Sequence, residues 1–202
     1  MKLFRRYGIW GGLKLLFSLI YTKLFFPKAR LIRLPFDIRN KHLIRIGKGF
    51  TSGFNCRIEA MPPNKENVDK KLLLIGDNVQ INDYVHIAAG EKVVIGHNVL
   101  IASKVFISDI NHGNYGEINP DSPLVPPNER ELHTKQVIVE DNVWIGESVC
   151  ILGGVTIGRG SIIGALSTVS RSIPPYSIAV GSPAKVVKIY DFSLEKWVRK
   201  AD

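Results

Sequence analysis

From residue 75 an aliphatic side chain recurs at every sixth position. The first block runs Ile75, Ile81, Ile87, Ile95, Ile101 and Ile107, with two residues inserted between 87 and 95. The second runs Val139, Ile145, Ile151, Ile157, Ile163 and Val169. A second apolar or small residue precedes most of these by two places: Val79, Val85, Val99, Val105, Val143, Val149, Val155, Ser161 and Ser167. An amphipathic helix would need apolar residues three and four apart. Six residues instead make a short strand plus a turn, and three such units close a triangular coil of about 18 residues. Stacked coils pair their strands in parallel, and β-branched Val and Ile suit the pleated interior. The twelve units give four coils, and Ile46-Gly47 with Ile58 are degenerate units of an earlier one.

Two stretches fall outside the repeat. Between Ile107 and Val139, SDINHGNYGEINPDSPLVPPNERELHTKQV replaces a single unit. A loop of this length in a compact domain is functional or disordered. After 190, DFSLEKWVRKAD carries Leu194, Trp197 and Val198 at helical spacing, so a short C-terminal helix is expected over 191–202.

Composition matters chiefly through charge. The chain has 202 residues and a net charge of +9. Residues 1–45 hold eleven basic side chains and one acid, Asp37, leaving the rest of the chain near neutral at −1. A neutral body with a basic arm differs from a uniformly basic nucleic-acid binder, and no nucleic-acid-binding motif accompanies the charge. In the arm, KLFRRYGIWGGLKLLFSLIYTKLFF, the uncharged run Leu15–Thr22 is far short of the about 20 residues that span a bilayer. Lys14 also interrupts any signal-peptide core, so the expected location is cytoplasmic. Two readings of the arm stay open. Its apolar residues pack on the body or a neighbouring subunit, or a basic-aromatic helix lies on the inner membrane. Cys56 and Cys150 make no disulfide framework, and no zinc-ligand spacing occurs.

These motifs resemble the hexapeptide-repeat acyltransferases. Within that family, GKGFTSG, NVQINDYVHIAA and LIASKVFISDINHG are most similar to bacterial O-antigen and surface-polysaccharide O-acetyltransferases. The resemblance covers roughly residues 44–190. It implies an all-β fold, a left-handed parallel β-helix, and a homotrimer with active sites between subunits. Handedness and trimer come from the resemblance, since parallel crossovers are otherwise nearly always right-handed. The implied organisation is an arm over 1–43, a β-helix over 44–190 with a protruding loop 108–136, and a C-terminal helix.

The resemblance also assigns chemistry. Asn-His-Gly at 111–113 matches the loop motif of the family's reactive histidine, making His112 the candidate general base. A sugar hydroxyl attacks a thioester poorly unless its proton is taken as the bond forms, and imidazole suits that task near neutral pH. Asp109 is a candidate partner for its second ring nitrogen. Asn82, Tyr84, His86 and Asn111 are expected to line the acceptor site. For acetyl-coenzyme A, Trp144 resembles the family's Trp beside the reacting groups, and Ala165 the small corner residue against the pantetheine arm. Ser170 and Arg171 stand for a Thr-Lys pair near the coenzyme's polar end. Lys185 and Lys188 replace arginines and can neutralise phosphates, without the bidentate fork. Glu147 departs from the family's Ser, and an acid there does not favour phosphate.

The expected reaction is acetyl transfer from acetyl-coenzyme A to a hydroxyl of a surface polysaccharide or its lipid-linked precursor. The alternatives are N-acetylation of a nucleotide-linked amino sugar, although no GxGxxG appears, and O-acetylation of a small xenobiotic. A zinc hydratase on this fold would need His spacings that are missing, and an adaptor would need neither the loop nor the Pro-Pro closing motif, so no metal is expected.

Overall fold

The structure is a computed structural model and describes residues 2–63 and 70–200; the side chains of residues 2–6, among them Lys2, Arg5 and Arg6 of the basic arm, lie outside the description. The chain winds as a left-handed parallel β-helix of triangular section. Face A carries Gln80–Ile81, Leu100–Ile101, Trp144–Ile145, Ile162–Ile163 and Ser177–Val180. Face B carries Phe36–Arg39, Cys56–Ala60, His86–Ala89, Phe106–Ser108, Cys150–Ile151 and Thr168–Val169. Face C carries Ile44–Ile46, Leu73–Ile75, Val93–Ile95, Val137–Val139 and Thr156–Ile157. The chain visits the faces in the order C, A, B and repeats.

Register follows the six-residue period. Ile58, Ile87, Ile107, Ile151 and Val169 sit side by side on face B. Ile81, Ile101, Ile145 and Ile163 do so on face A. All twelve repeat positions are at most 2% exposed, and so are the residues two places before them that the spacing singled out. Burying each such aliphatic side chain is worth about 1.5–3 kcal/mol.

The corners are shaped by left-handed residues at fixed phase. On the C–A edge these are Gly49, Asn78, Asn98, Asn142, Gly160 and Tyr176; on the A–B edge, Asn55, Tyr84, Lys104, Ser148 and Leu166. Asn and Gly adopt this conformation most readily. Tyr84, Lys104 and Leu166 are held in it by N–H bonds to the preceding coil, at the carbonyls of Phe54, Asp83 and Glu147.

Both ends depart from the expected organisation. The β-helix begins before residue 44: Leu31 bridges Thr51, and Phe36–Arg39 pairs with Cys56–Ala60. Residues 31–43 therefore belong to the body: Ile32 and Ile38 keep the six-residue step, and Ile38 stands beside Ile58, so the repeat reaches further toward the N-terminus than the expected start at 44. The helix α1, Lys2–Phe25, is broken at Gly8 and lies over the open end. Gly12, Leu15, Ser18 and Thr22 are its buried residues among those whose side chains are described, and Phe26 just beyond it is buried too. Thr22 Oγ1 accepts the Ile32 N–H at 2.8 Å, and Ser18 Oγ accepts the Leu34 N–H at 3.1 Å. These hydroxyls replace the coil that an end strand lacks.

At the other end the helix expected over 191–202 is a hairpin. Lys185–Asp191 pairs antiparallel with Ser177–Val180, and Lys196–Arg199 pairs back on Lys185–Asp191. Asp191 Oδ1 accepts the Ser193 and Leu194 N–H groups, and Glu195 is left-handed, so the chain turns where a helix would continue. Trp197 then stands opposite Tyr190, ring centroids 5.3 Å apart. Three apolar residues at helical spacing did not outweigh an open sheet edge that needed a partner.

The hydroxyl contacts generate a test. Thr22→Val keeps the shape and removes the acceptor of a buried N–H, so unfolding stability falls by about 1–3 kcal/mol. Unchanged stability in denaturant titration would mean that α1 does not cap the prism.

Candidate functional site

The long insertion leaves the B–C edge after Phe106–Ser108. Asp109 is fully buried at its root. Its carboxylate accepts N–H groups from Gly90 at 2.6 Å, Glu91 at 2.9 Å and Lys92 at 2.7 Å, at the same edge one coil below. Its carbonyl accepts the Lys135 N–H where the insertion returns. Asp109 therefore clamps both ends of the loop and is not available to orient His112, contrary to expectation; sequence placed it near the histidine but could not say that its oxygens were already engaged.

Beyond the root, Ile110–His112 pairs antiparallel with Leu132–Thr134, so the loop is built on a two-stranded stem. His112 closes that stem. The Tyr115 hydroxyl donates to the His112 carbonyl and accepts from Arg130 Nη1 at 2.7 Å. Arg130 Nε and Nη2 also reach the Val125 carbonyl, at 2.9 and 2.7 Å. Gly113 has φ 104°, and a Cβ there would come within 3.0 Å of Arg130 and Asp121. The glycine of Asn-His-Gly is thus required by the turn. The outcome is a pinned backbone carrying an exposed imidazole that makes no hydrogen bond among the described residues. Tyr115 and Arg130 were not singled out from sequence, because nothing in their spacing reveals a contact across fifteen residues of irregular loop.

The other expected residues fall on different parts of the prism. Asn82, Tyr84 and Ala165 lie along the A–B edge, and Trp144 stands outward on face A, 49% exposed, in register with Leu100 and Ile162. Lys185 and Lys188 are exposed on the strand appended to face A. Asn111, Ser170 and Arg171 share the B–C edge with His112. Face A is the side of the triangle opposite that edge. One chain therefore spreads the expected residues from face A and its A–B edge, across face B, to the B–C edge. Glu147, at the A–B edge, lies 3.9 Å from Lys104.

His86 points outward from face B, as expected, and the structure adds its surroundings. Its Nε2 is 2.8 Å from Glu59 Oε1, and its ring packs 5.3 Å from that of Phe106. Glu59 is 2% exposed and also holds Arg57 at 2.7 Å and Arg39 at 3.4 Å. Burial pushes the Glu59 carboxyl up, but hydrogen bonds from Arg57 and His86 outweigh it and hold the group below its ordinary value. The parallel register explains the meeting: Arg57 lies beside His86, and Arg39 beside Glu59. Arg57 Nε is buried without a partner among the described residues. Cys56 is no nucleophile: burial pushes its thiol to about 11, and it donates to the Asn82 carbonyl at 3.0 Å. Among the described residues no cluster of three or more His, Cys, Asp or Glu side chains is placed to hold a metal.

Residues 136–171 match the family model described as "Bacterial transferase hexapeptide (six repeats)". The chain is 42% identical over 198 residues to the Escherichia coli K12 protein named "Putative lipopolysaccharide biosynthesis O-acetyl transferase WbbJ", covering 98% of this chain and 97% of that one. It is 38% identical over 114 residues to the galactoside O-acetyltransferase of Escherichia coli K12, covering 56% of this chain and 52% of that one. Among solved structures, a variant of AntD, an N-acyltransferase from Bacillus cereus in complex with dTDP-4-amino-4,6-dideoxyglucose and coenzyme A, superposes with a TM-score of 0.67. It covers 87% of this chain and 90% of that one at 23% identity, a likeness of fold alone.

The Glu59 cluster predicts a pH signature. A carboxylate whose folded pKa is depressed contributes stability above its unfolded pKa of about 4.3 and loses it as pH falls through the folded value. Glu59→Gln should therefore be less stable than wild type at neutral pH, by about 2 kcal/mol. The gap should close in acid. A gap that is constant with pH, read by denaturant titration, would mean that the charge contributes nothing.

Proposed function

The chain belongs to the bacterial hexapeptide-repeat transferases, and from that membership we propose that it is an O-acetyltransferase of surface-polysaccharide biosynthesis, moving acetyl from acetyl-coenzyme A to a sugar hydroxyl. The observation that carries the reading is the end-to-end match, 98% of one chain against 97% of the other, to a relative bearing that name. The match includes the loop with His112 and the closing strands.

His112 is the proposed general base. Its backbone is fixed by Tyr115 while its ring stays exposed, so the imidazole can meet an incoming hydroxyl without first breaking a bond. The ring takes the hydroxyl proton as oxygen attacks the thioester carbonyl. It returns that proton to the departing thiolate, so no net charge is left behind. Backbone N–H groups at the exposed corners are the candidate donors to the developing oxyanion. Ala165 offers a corner with only a methyl group beside the pantetheine arm, and Trp144 a flat apolar wall. Lys185 and Lys188 supply exposed positive charge toward phosphates. Asn82, Tyr84, His86 and Asn111 are the proposed acceptor contacts.

We propose further that the enzyme is a trimer and that each site joins the B–C edge of one copy to face A of the next. Support comes from the separation within one chain: His112, Asn111, Ser170 and Arg171 at the B–C edge, Trp144, Lys185 and Lys188 on face A, and Ala165 at the A–B corner of that face. Contact between copies is what would assemble a complete set.

Coenzyme A release in the presence of de-O-acetylated surface polysaccharide or its lipid-linked repeat tests the reading. His112→Ala should lower acceptor-dependent kcat by about 10²–10⁴ with unfolding stability unchanged, since the ring is exposed and unbonded. Retained activity would remove His112 from the mechanism. Acetyl found on an amine rather than a hydroxyl would overturn O-acetylation.

A further inference from the structure

The capping role of α1 uses only one of its faces. Leu15, Ser18 and Thr22, with Phe26 just beyond the helix, turn toward the prism. On the opposite side Trp10 is 80% exposed, Leu13 39%, Phe17 66%, Ile20 49% and Leu24 71%. From Gly8 onward these positions repeat at three-, four- and seven-residue intervals, so they form one continuous apolar stripe. Lys14 borders the stripe on one flank and Lys23 on the other, both exposed. Lys28 and Arg30 follow at its C-terminal end, and Lys41 reaches back to the Phe25 carbonyl at 2.9 Å. No acidic residue occurs before Asp37.

We infer that this outer face of α1 docks on an anionic lipid surface. Aromatic and aliphatic side chains enter the headgroup–acyl boundary, and the flanking lysines meet lipid phosphates. The charge selects this occupant. A second copy placed face to face would bring Lys14 and Lys23 against their own kind, whereas a negative bilayer complements both at once. Among the described residues no helix is long and apolar enough to cross a membrane, so α1 lies on the surface. Because Ser18 and Thr22 fasten α1 to the first coil, docking sets the prism with that end toward the bilayer.

The test is co-sedimentation of the full chain with phosphatidylcholine vesicles, with and without phosphatidylglycerol. Wild type should bind the anionic vesicles, bind the neutral ones far more weakly, and detach as salt is raised. Phe17→Glu/Leu24→Glu, which disturbs only exposed positions, should reduce binding by about tenfold or more. Lys14→Glu/Lys23→Glu, with the apolar stripe intact, should do likewise. Both variants should keep the wild-type unfolding midpoint. Absence of wild-type binding, equal binding to both kinds of vesicle, or indifference to both substitutions would overturn the inference. So would a lipid-free wild type of larger mass than the Phe17→Glu/Leu24→Glu variant, because the stripe would then be joining copies of the chain.

Discussion

In-register stacking of interior aliphatic residues is the constraint on which everything else in this molecule rests. Once Ile58, Ile87, Ile107, Ile151 and Val169 are aligned across face B, the phase of every neighbouring residue is set. The position before each interior residue must point outward. That is why Trp144, His86 and Gln80 emerge on the surface, and why Tyr84, Lys104 and Leu166 accept left-handed backbone at the corners. The core thus serves as a ruler. It places surface side chains at strand spacing along a rigid prism, and substitutions at outward positions change chemistry without disturbing the frame.

The loop that carries His112 depends on the same ruler through one buried carboxylate. Asp109 ties the root of the insertion to three N–H groups of the coil below, and its carbonyl takes Lys135 at the return. A twenty-six-residue excursion from a single corner is thereby anchored at both feet. Tyr115 and Arg130 then fix the turn around Gly113. Precision at the imidazole is obtained from backbone carbonyls and one hydroxyl bridge, while the ring itself is left uncommitted.

Legibility in the sequence tracked periodicity. Ile75 through Val169 could be read because a six-residue rule leaves each residue one environment, and the outward placing of Trp144 and His86 followed from it. Where the rule lapses, local pattern misled. Trp197 and Val198 look helical by spacing but answer to an unpaired edge on the appended strand. Residues 31–43 carry the arm's positive charge, yet Ile32 and Ile38 keep the six-residue step and complete the first coil. The Glu59, Arg57 and Arg39 meeting was equally hidden, since it depends on which coils are neighbours across twenty or more residues. Asp109 was found by its nearness to the histidine and had a different task, because proximity along the chain says nothing about which N–H groups a carboxylate faces.

A site shared between copies of the chain can be tested directly by complementation. Trimers of His112→Ala and of Ala165→Arg, each expected to be nearly inactive, can be unfolded together and reassembled at equal concentration. If the B–C edge of one copy works against face A and its A–B corner of the next, the reassembled mixture regains roughly a quarter of wild-type acetyl transfer, from interfaces that combine two intact halves. If both groups act within one chain, no mixture restores activity, and the shared site is wrong.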